Sequence, residues 1–114
     1  GRYEDALKLY KRVLMLKPDN YLAWNNQGNV LKELRRHDEA IDSFERALML
    51  SPDSPITYYN MATIYAKLHR KDKMLTSLSK AFQLNGMDYK DDALNDPSFK
   101  EYWNDSAFKN LTEA

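Results

Sequence analysis

The sequence predicts an all-α protein built as a solenoid of stacked antiparallel helix pairs, and three observations support this class. The chain resembles itself at a spacing of 34 residues, so that Trp24 aligns with Tyr58 and Pro18 aligns with Pro52. A fixed period in this range is typical of helical repeats that stack on their neighbours. Apolar residues recur at intervals of three and four, which is the spacing of one face of a helix. Proline or an Asn-Gly pair follows several of these apolar segments and ends the helical pattern there.

Five helices are predicted in chain order, over residues 2–17, 19 or 20–34, 37–50, 54–68 and 71–84. The first ends at Pro18, because the residue before a proline avoids helical dihedral angles. Gly28 lies inside the second helix and indicates a close helix crossing, since glycine lowers helix stability by about 1 kcal/mol relative to alanine. The pair Asn85-Gly86 is predicted to end the fifth helix. The resulting organisation is a half-repeat over 1–20, a full repeat over 21–54, a divergent repeat over 55–88 and a capping tail over 89–114.

Each helix carries one apolar stripe that we expect to be buried. The predicted core residues are, helix by helix, Ala6, Leu9, Tyr10, Val13, Leu14 and Leu16; Trp24, Gln27, Gly28 and Leu31; Ala40, Ile41, Phe44, Ala47 and Leu48; Tyr58, Met61, Ala62 and Tyr65; and Met74, Leu75, Leu78, Ala81 and Phe82. This spacing follows the 3.6-residue turn of the helix. The stripes therefore predict which side of each helix faces its neighbour.

The tail contains a shorter repeat of nine residues. Asn95-Asp96-Pro97-Ser98-Phe99 is followed by Asn104-Asp105-Ser106-Ala107-Phe108. Aspartate is a favoured residue at a helix start, and proline is favoured at the first helical position. The tail is therefore predicted to form two or three short helices that cap the open end of the stack, as terminal repeats must.

Composition excludes several classes of function. The chain has 17 basic and 17 acidic residues, so no net charge attracts nucleic acid or an anionic membrane. It has no cysteine, which excludes disulfides and thiolate metal sites. No apolar segment approaches the length of a membrane span. We expect a cytoplasmic protein without cofactor, metal, nucleic acid or membrane partner. The sequence begins halfway through a repeat, so we also expect it to be part of a longer protein.

Candidate catalytic residues are few. His37 and His69 occupy equivalent turns between helices and have no paired acid nearby in the sequence. Acidic pairs such as Asp38-Glu39 fall at predicted helix starts, where the helix dipole favours negative charge. Glycine occurs only three times, well apart, so there is no phosphate-binding loop. The sequence therefore predicts a protein that is not an enzyme.

The central repeat resembles the tetratricopeptide repeat family. Residues that fit its pattern of aromatic, small and proline positions are Trp24, Gly28, Leu31, Ala40, Phe44, Ala47 and Pro52. Gln27 departs from that pattern where leucine is usual, and Met74 and Leu78 depart in the last repeat. The resemblance covers residues 1 to about 87, and the tail is similar to those that follow the last repeat in many prokaryotic members. It implies a right-handed superhelix whose first helix in each pair lines a concave groove for a peptide or a partner helix.

The groove that this resemblance implies is lined by polar residues of the second and fourth helices. The candidate binding residues are Asn25, Asn26, Asn29, Lys32, Glu33, Tyr59, Asn60, Thr63 and Lys67. Asparagine offers both a donor and an acceptor and can pair with any peptide backbone. Asn29 and Asn60 match asparagines that family members use in this way. The basic residues of a carboxylate-binding variant are missing, since Asn25 and Ile56 stand where lysines are expected.

Three classes of function remain open at this point. The first is a protein-interaction module that binds a peptide or helix in the groove. The second is self-assembly, because the first helix lacks a partner helix and part of its apolar stripe is available to a neighbouring copy. The third is a regulatory or targeting segment of a larger enzyme.

Overall fold

The computed structural model describes residues 1–113, without the side chains of residues 86–88, and this part of the chain is helical with no strand. The elements are α1 (Arg2–Leu16), α2 (Tyr21–Glu33), α3 (His37–Leu50), α4 (Pro55–Lys67), α5 (Lys71–Asn95), a 3-10 helix (Pro97–Tyr102) and α6 (Ser106–Glu113). The all-α class with helix pairs and short C-terminal helices is therefore confirmed. The helices group into two compact units, residues 1–53 and 54–114.

In the first unit, α2 and α3 form an antiparallel pair around a close crossing. Gly28 faces the ring of the fully buried Phe44, and a Cβ atom at Gly28 would lie only 2.5 to 2.9 Å from three ring carbons. Such distances are far below the roughly 3.5–4.0 Å of normal carbon contacts. The glycine therefore allows the aromatic ring to pack directly on the helix backbone, as its position in the sequence indicates.

The prediction of a single buried stripe on α1 is wrong. The buried residues are Leu7 and Leu14, whereas Leu9 is 60% exposed and Leu16 is 84% exposed. Leu7 and Leu14 lie on the side of α1 that packs on α2 in this unit. Leu9, Val13 and Leu16 lie on a different side of α1, so that helix has two apolar sides and only one is covered.

In the second unit, α4 pairs with α5, which consists of two helical parts joined at a kink. Asn85 has non-helical dihedral angles (φ −157°, ψ 75°), so the first helical part of α5 ends there, as the Asn-Gly pair predicts. The helix resumes after it and runs to Asn95. An Asn-Gly pair weakens a helix but does not prevent a second helical segment from following in a new direction.

The tail folds as its nine-residue repeat predicts. Asp96 accepts a hydrogen bond from the Ser98 backbone N–H at 2.9 Å, and Asp105 accepts one from the Phe108 N–H at 3.2 Å. Phe99 and Phe108 are both fully buried, with ring centroids 5.9 Å apart. Each half of the tail repeat therefore supplies one aspartate that caps a short helix and one aromatic ring that fills the core.

Equivalent turns in the two units have left-handed backbone without glycine. Arg35 has φ of 61° and His69 has φ of 58°. In both turns the next N–H bonds back across the helix end, from Arg36 to the Leu31 carbonyl and from Arg70 to the Tyr65 carbonyl, each at 2.9 Å. This pattern satisfies carbonyls at the end of the helix, and it usually has glycine at the left-handed position.

Candidate interaction faces

The face of α2 carries five of the predicted groove residues. Asn20 fixes the start of the helix, because its side-chain oxygen accepts a hydrogen bond from the Ala23 N–H at 3.1 Å. From that start, Asn26 and Glu33 are exposed, Asn29 and Lys32 are half-buried and Asn25 is buried. Asn25, Asn29 and Lys32 each have an interaction partner within the chain. The structure thus places these five residues on one helix, with Asn26 and Glu33 the most accessible.

The face of α4 is largely buried. Tyr59 is 7% exposed, Thr63 is 3% exposed and Asn60 is also buried, so that only Lys67 is exposed among the four predicted residues of this helix. The Thr63 hydroxyl donates to the Asn60 carbonyl at 2.7 Å, a bond within the helix. The burial of three of these side chains limits what α4 offers to a partner.

Tyr59 is held by the tail of its own unit. Its hydroxyl donates to Asp96 Oδ2 at 2.8 Å, and its ring lies 5.3 Å from the Tyr89 ring and 5.7 Å from the Phe99 ring between centroids. Burial raises the pKa of Tyr59 well above its ordinary value, and the hydrogen bond to the Asp96 carboxylate raises it further. The sequence predicts Tyr59 in the wall of a groove, but in the structure this ring packs between α4 and the tail.

A groove that sequence analysis did not identify runs along α5 in the second unit. Its volume is about 560 Å³, and its apolar lining residues are Tyr58, Met61, Leu75, Ala107 and Leu111. The lining also includes Lys80, beside several small polar side chains. The apolar spacing predicts a core position for Tyr58, Met61 and Leu75, and such spacing does not distinguish a buried apolar residue from one that lines an open groove.

The first unit contains a buried polar pair at a position where the repeat pattern usually has leucine. The Gln27 side-chain amide donates to Ser43 Oγ at 2.9 Å, and both residues are buried. Within the part of the chain that the structure describes, Gln27 Oε1 has no hydrogen-bond partner. A buried acceptor without a partner lowers stability by about 1–3 kcal/mol. Gln27 therefore belongs to the α2–α3 interface, and it is not one of the groove residues.

His69, one of the two candidate catalytic histidines, lies beside an acidic residue of the tail. His69 Nδ1 lies 2.9 Å from Glu101 Oε1, and both side chains are mostly exposed. The hydrogen bond from His69 lowers the pKa of Glu101. Among residues 1–113, excluding the side chains of 86–88, no group of three potential ligands could hold a metal ion. The same residues include no helix with the length and apolar character that crossing a membrane requires.

Comparison with known protein families gave two matches, both described as tetratricopeptide repeat. One model matches residues 1–55 and the other matches residues 56–86. Together they extend from the half-repeat to the end of the divergent repeat. A comparison with curated protein sequences found no significant match.

Several solved structures of MamA are similar to this chain. The structure named MamA MSR-1 C2 is 32% identical, with a TM-score of 0.71, and the match covers 74% of this chain and 48% of that one. The structure named MamA AMB-1 C2221 is 33% identical, with a TM-score of 0.70 and coverage of 74% and 49%. A further MamA crystal structure, at 22% identity, has a TM-score of 0.80 over 96% of this chain and supports the fold alone. The chain spans about half the length of the first two structures.

Proposed function

Because the chain belongs to the tetratricopeptide repeat family, we propose that it is a protein-interaction module whose recognition surface is the polar face of α2. Family membership supports a role in protein–protein interaction in general terms. The finer proposal is that a peptide or a helix of a partner protein lies along Asn26, Asn29, Lys32 and Glu33. Asn25 belongs to the same face but contributes mainly to packing, since it is buried.

The observation that carries this proposal is the combination of amide and charged groups on one accessible helix face. Asn26 is exposed and Asn29 is half-buried, and their amides can donate to and accept from the backbone of a bound peptide. Lys32 and Glu33 follow within two turns and offer one charge of each sign. A matching peptide would form backbone hydrogen bonds with Asn26 and Asn29. It would place a polar or charged side chain near Lys32 and Glu33.

Within the proposal, α4 contributes less than α2. Tyr59 is bonded to Asp96, and Asn60 and Thr63 are buried, so a partner would meet mainly Lys67 on this helix. Asn60 remains a candidate only if binding is accompanied by a rearrangement around it.

A peptide-display selection against the purified chain tests the proposal. The selected peptides are then titrated calorimetrically against the wild type and against the double variant Asn26→Ala, Asn29→Ala. We expect a loss of about 1–3 kcal/mol of binding free energy, which is the range for two net hydrogen bonds and corresponds to a roughly 5- to 150-fold weaker affinity. Asn110→Ala on the exposed side of α6 is the matched control. Equal affinity of the wild type and the double variant, with both folded, would exclude the α2 face.

A second candidate function is self-association through α1. Leu9, Val13 and Leu16 form an exposed apolar stripe, and burial of apolar surface is the usual driving force for association. Sedimentation velocity over a range of concentrations tests it. We expect an increase in mean mass that Leu9→Gln abolishes, whereas Met15→Gln, at a still more exposed position on another side of α1, leaves it unchanged. A constant monomer mass over the whole concentration range would rule out this candidate.

A further inference from the structure

Asn85 combines an exposed side chain with an unusual place in the backbone. It is the residue with non-helical dihedral angles inside α5, at the kink between the two helical parts of that element. The next residue in the sequence is Gly86, and no other asparagine of this chain precedes a glycine. Asn85 therefore has both a non-helical backbone and a glycine as its next residue.

We propose that Asn85 is a site of spontaneous deamidation, which converts it to aspartate or isoaspartate at the kink of α5. The backbone nitrogen of residue 86 attacks Cγ of Asn85, and the side-chain nitrogen leaves as ammonia. A five-membered succinimide ring results. Water then opens the ring at either of its carbonyls, which gives aspartate in one case and isoaspartate in the other. The sequence of steps consumes one water molecule, releases one ammonia molecule and needs no other reactant.

The position favours this reaction for two physical reasons. Glycine has no Cβ, so the nitrogen of residue 86 is less shielded than in any other residue that could follow Asn85. Ring closure also requires the side chain and the next peptide to rotate into contact. A continuous helix opposes that rotation, because its hydrogen-bonded ladder fixes the dihedral angles. Asn85 lies outside helical dihedral angles, and its side chain is exposed to water.

The other asparagines differ in at least one of these respects. Asn104 is exposed in the turn before α6, but Asp105 follows it, so its neighbouring nitrogen carries a side chain. Asn95 lies at the end of α5, and its amide donates to the Asp91 carbonyl at 2.9 Å. Asn104 is therefore the best internal control, because it matches Asn85 in exposure and differs in the residue that follows.

The product would act on the contacts of the tail. The part of α5 after the kink holds Tyr89 against Tyr59, and it supplies the Ala93 carbonyl that accepts the Trp103 indole N–H at 3.1 Å. Isoaspartate adds one methylene group to the backbone at residue 85 and so shifts this part relative to the part before it. Deamidation also adds one negative charge to a chain whose formal net charge is zero.

The test is incubation of the purified chain in mildly alkaline buffer, followed by peptide mapping with mass spectrometry. We expect the peptide that contains Asn85 to gain about 1 Da and to separate into two products, aspartate and isoaspartate. The peptide that contains Asn104 should change several-fold more slowly. The variants Gly86→Ala and Asn85→Gln should both slow the change at residue 85. Equal rates at residues 85 and 104, or an unchanged rate in Gly86→Ala, would overturn the proposal.

Discussion

Replacement of Gly28 by alanine tests the packing of the α2–α3 pair most directly. Two effects of opposite sign compete at this residue. Alanine favours the helix over glycine by about 1 kcal/mol, which would stabilise the protein. The new Cβ would also lie 2.5 to 2.9 Å from three ring carbons of Phe44, which is fully buried. Overpacking of a closed core lowers stability by about 1–3 kcal/mol. Because the Phe44 ring is fully buried and would have to shift to relieve these contacts, we expect a net loss of up to about 2 kcal/mol.

The second unit shows how the same position accommodates a Cβ. The residues that align with Gly28 and Phe44 at the 34-residue spacing are Ala62 and Leu78, and both are fully buried. Leucine has no ring, so alanine fits at the crossing. The double variant Gly28→Ala, Phe44→Leu copies this pair into the first unit. We therefore expect its loss of unfolding free energy to be smaller than the summed losses of the two single variants by about 0.5–3 kcal/mol, the range for coupled neighbours.

The assay is urea unfolding followed by the fluorescence of Trp24. The variants at Gly28 and Phe44 carry Trp103→Phe, so that their signal comes from the first unit alone. Ala62→Gly, with Trp103 kept as the probe and Trp24 replaced by phenylalanine, is the matched control and should lose about 1 kcal/mol from helix propensity. Two results would exclude the proposed role of Gly28. One is stabilisation by Gly28→Ala alone, and the other is strict additivity of the double variant.

Three further predictions concern single contacts. Trp24→Ala should lower the free energy of unfolding by about 1–3 kcal/mol. This is less than the roughly 3–5 kcal/mol lost at a fully buried aromatic residue, because Trp24 is only half-buried. A larger loss in urea unfolding would contradict the partial burial of this ring. Tyr59→Phe should lower stability by about 1–3 kcal/mol, because Asp96 loses a hydrogen-bond donor. Since the pKa of Tyr59 is raised in the folded state, the unfolded chain loses this proton first as the pH rises. The stability of the wild type should therefore fall above the ordinary pKa of 10.0, and that of Tyr59→Phe should fall much less. Parallel pH profiles of the two proteins would contradict the role of this hydroxyl. Arg35→Gly should raise the free energy of unfolding by about 0.5–1 kcal/mol, because the left-handed backbone at this residue suits glycine. An unchanged melting temperature would contradict this expectation.

Signals that are local in the sequence were sufficient to predict the class of the fold and most of its helices. The period of 34 residues predicted helix pairs, and the aspartates and phenylalanines of the tail predicted short capped helices with buried rings. These features depend on residues close together in the chain, since a cap or a helix face is set within one or two turns. Gly28 also predicted a close crossing, because a glycine inside a helix lowers helix stability unless a neighbouring group uses the space that its missing side chain leaves.

Contacts between distant parts of the chain control which apolar and polar faces are covered, and only the folded structure shows them. The spacing of Leu9, Val13 and Leu16 indicates that one side of α1 is apolar, but it cannot indicate whether another element packs on that side. In the same way, the polar pattern of α4 suggested a groove, whereas the tail returns to bury Tyr59 through Asp96, Tyr89 and Phe99. The Asn-Gly pair correctly predicts that the first helical part of α5 ends at Asn85, but it does not indicate that a second helical part follows at once. The periodicity of the sequence indicates whether a helix face is apolar or polar. Contacts between residues far apart in the chain determine whether another element covers that face.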